Sequence, residues 1–148
     1  MKAILTAAVG AAVFFTACSS NNPPPPTPEQ AGEPCMNAGQ CYPETDGAAL
    51  MGGAAVCLDR VPGGYCTHLC NADADCCAVP GECRTRYPQV CAPFESTGMK
   101  YCFLSCEDAV FADAGIASAD TFCTTYAYAG FSCRSTGGGS QNRKVCTP

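Results

Sequence analysis

The sequence has no tryptophan, one histidine and few charged residues. Only 14% of its 148 residues are charged, and 13 acidic residues stand against 8 basic ones. Binding to a phosphate backbone, or docking on anionic lipid through the protein surface, relies on clustered lysine and arginine. No such cluster is present, so the composition argues against nucleic-acid binding and against electrostatic attachment to a membrane.

The chain also lacks an apolar run of the roughly 20 residues that a membrane-spanning helix needs. An uncharged, mostly apolar run, Ala3–Phe15, has 13 residues and follows Lys2. This pattern is typical of the apolar region of a secretory signal peptide. We therefore expect residues 1–17 to be a signal peptide.

A lone cysteine, Cys18, follows that stretch directly, and the next cysteine is Cys35. The segment Phe15–Cys18, with sequence FTAC, resembles the lipobox of bacterial lipoprotein precursors, although Phe15 stands where leucine is commonest. The resemblance implies that the Cys18 thiol is diacylated and that Cys18 becomes the first residue of the mature chain. The alternative is an ordinary secretory signal with an unrelated cysteine near its end.

The residues after Cys18 form a polar, proline-rich stretch, SSNNPPPPTPEQAG. Consecutive prolines favour an extended polyproline II rod of about 3.1 Å per residue. We expect residues 18–32 to be the lipidated cysteine and its tether. In lipoproteins, aspartate after the cysteine often causes retention at the inner membrane. Ser19 occupies that position here, which by resemblance implies the outer membrane.

Cysteine is abundant, with 15 in the chain. Setting Cys18 aside leaves an even number. From Cys35 onward only 19 residues are Leu, Ile, Val, Phe or Met, which gives too small an apolar core to offset the entropy of ordering the chain. Disulfides can compensate by restricting the unfolded state. The predicted disulfide residues are Cys35, Cys41, Cys57, Cys66, Cys70, Cys76, Cys77, Cys83, Cys91, Cys102, Cys106, Cys123, Cys133 and Cys146.

Parts of the cysteine-rich region resemble one another. The pattern Y-C-x3-C occurs at Tyr65–Cys70 and Tyr101–Cys106, and each copy is followed by C-R-[ST] and V-C-[AT]-P. We therefore predict a partial cysteine unit at 33–64 and full units at 65–93 and 94–148. Equivalent cysteines should pair equivalently.

The predicted fold is small and disulfide-rich, with short β-hairpins and loops and one short helix near 119–128. Hairpins are expected around Pro62–Gly64, around residues 87–88 and around residues 137–142. Ser118 is a candidate N-cap for the helix. Because Cys77 directly follows Cys76, the two are not expected to bond to each other. We expect Cys77 to pair with Cys35, Cys41 or Cys57.

The spacing of possible ligand residues suggests two metal sites. The crowded cysteines invite zinc, but the paired CxxC knuckles of structural zinc sites are absent. Residues Asn71–Asp75 place oxygen-bearing side chains at alternate positions, as a calcium loop does, but Cys76 stands where such a loop needs glycine. An acidic turn capped by its own side chains is the preferred interpretation, and we expect no metal and no cofactor.

No catalytic constellation is evident. His68 could act as a general base, but no activated serine or acid accompanies it, and we expect a solvent-exposed turn histidine. The neighbouring Glu107 and Asp108 are expected to begin a solvated helix. Aromatic residues Tyr126, Tyr128 and Phe131 either form a contact patch or cover the core, and we favour the second interpretation.

The whole chain resembles the cysteine-rich envelope lipoproteins of Gram-negative bacteria. This implies a lipid-anchored, non-enzymatic structural or binding module of the cell envelope, held on the membrane by N-terminal acyl chains. Its partner would be an envelope protein or a carbohydrate. The alternative is a displayed disulfide-rich inhibitor or toxin-like module, for which Arg84–Tyr87 is the candidate exposed loop.

Overall fold

The computed structural model describes residues 26–45, 49–94, 98–137 and 141–148. Cys18, the signal-peptide region and prolines 23–25 lie outside these residues. The described chain forms three antiparallel hairpins and two short helices. In chain order these elements are β1 (Ala55–Cys57), β2 (Cys66–His68), β3 (Gln89–Pro93), β4 (Lys100–Leu104), α1 (Asp108–Asp113), α2 (Ala119–Tyr126), β5 (Ser132–Ser135) and β6 (Lys144–Thr147).

Seven disulfides staple this framework, which confirms the prediction of a small disulfide-rich fold built from short hairpins. The pairs are Cys35–Cys57, Cys41–Cys66, Cys70–Cys91, Cys76–Cys102, Cys77–Cys83, Cys106–Cys133 and Cys123–Cys146. They take up all fourteen cysteines after Cys18.

Six of these bonds follow one arrangement that occurs three times. In each hairpin, one cysteine of the first strand lies opposite one cysteine of the second: Cys57 opposite Cys66, Cys91 opposite Cys102, and Cys133 opposite Cys146. The facing cysteines do not bond to each other. Each bonds instead to a cysteine upstream of the hairpin, and the earlier upstream cysteine always takes the first strand.

Two hairpins cross the expected unit boundaries, and one expected hairpin does not form. β1 pairs with β2 across the boundary at 64/65, and β3 pairs with β4 across that at 93/94. The expected hairpin around residues 87–88 does not form, because Gln89–Pro93 takes Lys100–Leu104 as its partner. In each of the three copies, two disulfides therefore join the segment before a hairpin to that hairpin.

The expectation for Cys77 is wrong. Cys77 bonds to Cys83, six residues later and inside the same loop. The residues expected as its partners, Cys35, Cys41 and Cys57, are all taken by the first hairpin's two disulfides. The covalent link from the expected partial unit at 33–64 to the full unit at 65–93 is made instead by Cys41–Cys66.

The hairpins pack into one body around a small aromatic core. Tyr65 lies against Phe103 and stacks on Phe131, with ring centroids 5.4 and 5.8 Å apart. Its hydroxyl donates to the Cys146 carbonyl at 3.2 Å, which joins the first hairpin to the third. The Thr67 hydroxyl donates to the Cys102 carbonyl at 2.6 Å and joins the first to the second.

The helix predicted near 119–128 is confirmed as α2, Ala119–Tyr126. Ser118 caps it, since its Oγ accepts the Thr121 N–H at 3.2 Å. Phe122 and Cys123 face inward and are fully buried, and Cys123 is tied to β6 through Cys146. Within the described residues, no helix is long and apolar enough to cross a membrane.

The end of the expected tether belongs to the folded body. Residues 29–32 are buried, although they were predicted to be part of an extended stalk. The Glu29 N–H donates to the Tyr126 carbonyl and the Gly32 N–H to the Cys66 carbonyl, both at 2.8 Å. The segment thus runs between the end of α2 and strand β2, and residues 29–32 do not belong to an extended tether.

Candidate functional site

Glu29 is the centre of a buried hydrogen-bond network. Its Oε1 accepts the N–H groups of Gln30 and Arg84 at 2.9 and 2.8 Å. Its Oε2 accepts the Thr85 N–H at 3.0 Å and the Thr85 hydroxyl at 2.8 Å. The side chain has no exposed surface. One carboxylate therefore holds the loop that begins at Arg84 against the N-terminal segment.

A second buried acid pairs with the only histidine. His68 is fully buried in β2, so the expectation of an exposed turn histidine is wrong. Its Nε2 lies 2.8 Å from Glu82 Oε1, and its Nδ1 lies 2.9 Å from the Leu69 carbonyl. A carbonyl only accepts, so Nδ1 carries a proton. A hydrogen bond between Nε2 and Glu82 Oε1 then requires a proton on one of these two atoms.

Glu82 also closes its own loop. The N–H groups of Cys77 and Val79 donate to its two oxygens at 2.5 and 3.1 Å. Together with the contact to His68, these hydrogen bonds occupy both oxygens of the Glu82 carboxylate within the protein. His68 and Glu82 are both fully buried and are therefore not accessible to a substrate. They support the loop between Cys77 and Cys83.

The acidic turn Asn71–Asp75 is capped by its own side chains. Asp75 Oδ2 accepts the N–H groups of Asn71 and Ala72 at 2.7 and 3.1 Å, and these bonds, Asn71 first, lower the pKa of Asp75. Asp73 accepts the Cys91 N–H at 2.9 Å and pairs with Arg143 at 2.8 Å. Asp73 thus holds β3 and the residue before β6, Asp75 caps the turn, and Glu82 is bound to His68 and to the N–H groups of Cys77 and Val79 instead.

The other candidate polar and aromatic residues also serve the fold. Glu107 occupies the N-cap position of α1 without a capping hydrogen bond from its side chain and pairs with Arg143 at 2.6 Å. Its hydrogen bond is the first of the contacts that raise the pKa of Arg143. Phe131 is buried beneath Tyr128, and Tyr126 packs on Tyr87. The aromatic residues therefore cover the core, as the sequence analysis favoured.

The candidate inhibitory loop, Arg84–Tyr87, is held at both ends. Arg84 and Thr85 are bound by Glu29, and Tyr87 is buried with its ring against Phe122 and Tyr126. Only Arg86 projects. Its side chain is 69% exposed, pairs with Asp113 at 3.3 Å and lies over the Tyr87 ring. The loop presents one arginine from a fixed backbone.

A concave apolar surface lies between the first and third hairpins, and we call it the apolar groove. It consists of two depressions of about 340 and 250 Å³ that share Arg60 and Phe94. Val61, Pro62, Pro93 and Val145 line the larger one, with Arg134 at its rim. Arg134 is exposed and donates to the Ser132 hydroxyl at 3.0 Å. No carboxylate of the described residues forms an ion pair with it.

Three groups of cysteine and histidine side chains come close enough to suggest metal ligands. They are Cys35, Cys41 and Cys66; His68, Cys76 and Cys102; and Cys106, Cys123 and Cys146. Every cysteine in them is in a disulfide, and His68 is already bound to Glu82 and Leu69. The oxidised protein therefore offers none of these groups as thiolate ligands.

Comparisons of the chain with protein-family models, with curated proteins and with solved structures find no match. The site must therefore be argued from its own geometry. Sequence reasoning missed Glu29, His68 and Glu82 as buried groups. Some of their partners are far away in sequence, 55 residues for Glu29 and Arg84 and 14 for His68 and Glu82, and no local pattern marks them.

Proposed function

We propose that the protein is a lipid-anchored, disulfide-stabilised module of the cell envelope, placed at the outer membrane, and that it acts through structure or binding without catalysing a reaction. The burial of residues 29–32 carries this proposal. The segment that follows the proline-rich stretch enters the body and is fixed by Glu29. A tether joined in this way holds the body at a defined point.

Cys18 is the proposed attachment point. Residues 19–28 would then form the stalk, about 30 Å long if fully extended as polyproline II. One acyl chain gives only reversible membrane binding, whereas two or three chains on one residue give a stable anchor. The three equivalent hairpins with their paired disulfides are proposed to be copies of one unit, which together replace a large apolar core.

The anchor is tested by expressing the full chain in a Gram-negative host with labelled palmitate. We expect label on the wild-type protein and on Ser19→Asp, and none on Cys18→Ser. Ser19→Asp should move from the outer-membrane to the inner-membrane fraction, since the aspartate acts as a retention signal in lipoproteins. An unmodified Cys18 thiol in the purified wild-type protein would contradict the anchor.

The binding surface of the proposed module is the apolar groove. Most of its lining is apolar, and two arginines, Arg60 and Arg134, stand against one acidic residue, Asp59, in a protein of net charge −5. Charge complementarity therefore favours an apolar peptide segment of an envelope protein that carries a carboxylate. A rim charge mainly affects the rate of association and the choice of partner.

Panning a displayed peptide library against the soluble body, residues 26–148 secreted without Cys18, tests this surface, once reductant-free circular dichroism has shown that the body is folded. We expect enriched peptides that combine apolar residues with Asp or Glu. Their affinity should fall about tenfold for Arg134→Glu and little for Arg134→Lys, since a charge reversal of this kind costs on the order of 1.4 kcal/mol. Arg86→Glu, which lies outside the groove, is the matched control. Equal loss in both charge-reversal variants would refute the groove.

The exposed Arg86 favours one second candidate, an inhibitor of proteases that cleave after arginine. A fixed backbone with one projecting side chain is the arrangement that lowers the entropy cost of binding. A panel of trypsin-like proteases should then be inhibited stoichiometrically by wild type and by Arg86→Lys, and not by Arg86→Ala. The absence of inhibition by wild type rejects this candidate and leaves the anchor and the groove untouched.

A further inference from the structure

The Cys77–Cys83 disulfide stands outside the arrangement shared by the other six. It joins two residues of one loop with a sequence separation of 6, and neither residue lies in a strand. The other bonds span 21 to 27 residues and each fixes a hairpin cysteine. A bond that closes so short a loop restricts the unfolded chain least, so the fold depends on it less than on the others.

This disulfide is also the most accessible one. Among the disulfide cysteines, all of which lie in the described residues, only Cys77 is exposed, and Cys83 is half-buried. Cys77 has a φ of +63°, the left-handed region that non-glycine residues rarely adopt. Such backbone conformations are held by their surroundings and are concentrated at functional positions. Cys77 is therefore the disulfide cysteine that we expect a thiol in solvent to attack first.

The sulfur on the other side of the bond faces a buried hydrogen-bond donor. Gln89 is 3% exposed, and its Nε2 lies 3.0 Å from Cys83 Sγ. Its Oε1 is buried and has no hydrogen-bond partner. Within the described residues, the contact with Cys83 Sγ is therefore the one hydrogen bond of the buried Gln89 side-chain amide. A donor at this position stabilises a thiolate on Cys83, which makes Cys83 the better leaving group.

A groove of about 430 Å³ lies beside the bond. Cys77, Tyr87 and Gln89 line it, and the exposed Arg86 is at its edge. Its volume falls in the range of small-molecule sites. It therefore suits a small thiol compound.

We propose that Cys77–Cys83 is a thiol–disulfide exchange site for low-molecular-weight thiols. The thiolate of such a compound attacks Cys77 Sγ, forming a mixed disulfide there. The bond to Cys83 breaks, and its electron pair leaves on Cys83 Sγ, beside the Gln89 amide. A second thiolate then attacks the sulfur of the bound thiol compound and releases an oxidised thiol dimer. Cys77 and Cys83 take up two protons, so two thiols are oxidised as one disulfide is reduced.

The site can be tested on the folded, oxidised protein with reduced glutathione as the probe. After brief exposure, free thiols are blocked by alkylation and the peptides are mapped. We expect the glutathione adduct on Cys77, the alkyl group on Cys83, and reaction there at least about tenfold faster than at any other disulfide, as accessibility governs exchange. Initial attack at another pair, an adduct on Cys83, or uniform reduction overturns the proposal.

The role of Gln89 is tested by Gln89→Leu, with Gln40→Leu on the first unit as the matched control. Loss of the donor should slow exchange at Cys77–Cys83 by about three- to tenfold, the effect of one hydrogen bond to a developing charge. Exchange at an unchanged rate would contradict the leaving-group argument. Should Gln89→Leu fail to fold, the position of the adduct in the wild-type protein still decides between Cys77 and Cys83.

Discussion

Replacing Glu29 by glutamine keeps the shape of a buried side chain but removes its charge and one of its two acceptor oxygens. The carboxylate accepts four hydrogen bonds, from the N–H groups of Gln30, Arg84 and Thr85 and from the Thr85 hydroxyl. A glutamine amide offers one oxygen and one NH₂ group. If the NH₂ group replaces Oε1, it faces two N–H donors. If it replaces Oε2, the hydroxyl can rotate to accept, but one N–H donor stays unpaired.

The better orientation therefore leaves at least one partly buried N–H without an acceptor. That costs about 1–3 kcal/mol, and the loss of charge weakens the remaining bonds. We expect Glu29→Gln to lower the free energy of unfolding by about 2–4 kcal/mol. The matched control is Glu44→Gln. Glu44 also pairs with Arg84, but its side chain is 55% exposed, and such a surface pair is worth about 0–1 kcal/mol.

The measurement is urea unfolding of the oxidised protein, followed by tyrosine fluorescence, with all disulfides intact. A second readout is limited proteolysis, which should cut Glu29→Gln between residues 26 and 33 faster than wild type. If Glu29→Gln costs no more than Glu44→Gln, the carboxylate does not hold the segment. The segment would then be held by the backbone hydrogen bonds of Glu29 and Gly32, and the role given to the Glu29 carboxylate in the proposed function would fail.

The other predictions concern the turn before β2 and the buried phenols. An added Cβ on Gly64 would lie 1.9 Å from the Cys35 carbonyl oxygen, whereas nothing lies within 4 Å of one on Gly63, although both have positive φ. Gly64→Ala should therefore prevent folding of the first hairpin, seen as a free thiol on Cys35 after oxidative refolding, whereas Gly63→Ala should fold at a cost of about 1–2 kcal/mol. Burial, with nearby carboxylates, raises the pKa of Tyr42 and Tyr65. Because the folded pKa lies above the unfolded value near 10, their contribution to stability is complete below about pH 10 and is lost as the pH rises further. In an alkaline absorbance titration both should ionise only together with unfolding; ionisation of either in the native protein would contradict this.

Local patterns were sufficient to predict much of the framework. The serine cap indicated the start of α2, and Pro62–Gly64 predicted the β1–β2 hairpin. The cysteine count after Cys18 matched seven bonds. These features depend on residues close together in sequence, or on parity alone, so a single sequence contains them.

The pairing of distant groups could not be predicted in the same way. Glu29 lies in a proline-rich stretch that has the composition of a stalk, and its burial depends on donors of the loop at Arg84 and Thr85. His68 is buried because Glu82, 14 residues away, supplies its partner. Cys77 was expected to reach another unit, since adjacent cysteines seldom bond to each other. Its actual partner, Cys83, is set by the turn that Glu82 closes.

Glu29 and Cys35 would have different mechanical roles in the proposed anchor. Force along the stalk would first reach the hydrogen bonds of Glu29, which are noncovalent and can open. Six residues later it would reach Cys35, whose disulfide to Cys57 is covalent. At about 3.5 Å per residue, opening the first set lengthens the tether by roughly 20 Å at most. In the proposed anchor, the buried segment would therefore fix where the body stands at rest, and the Cys35–Cys57 disulfide would limit how far the tether can be drawn out.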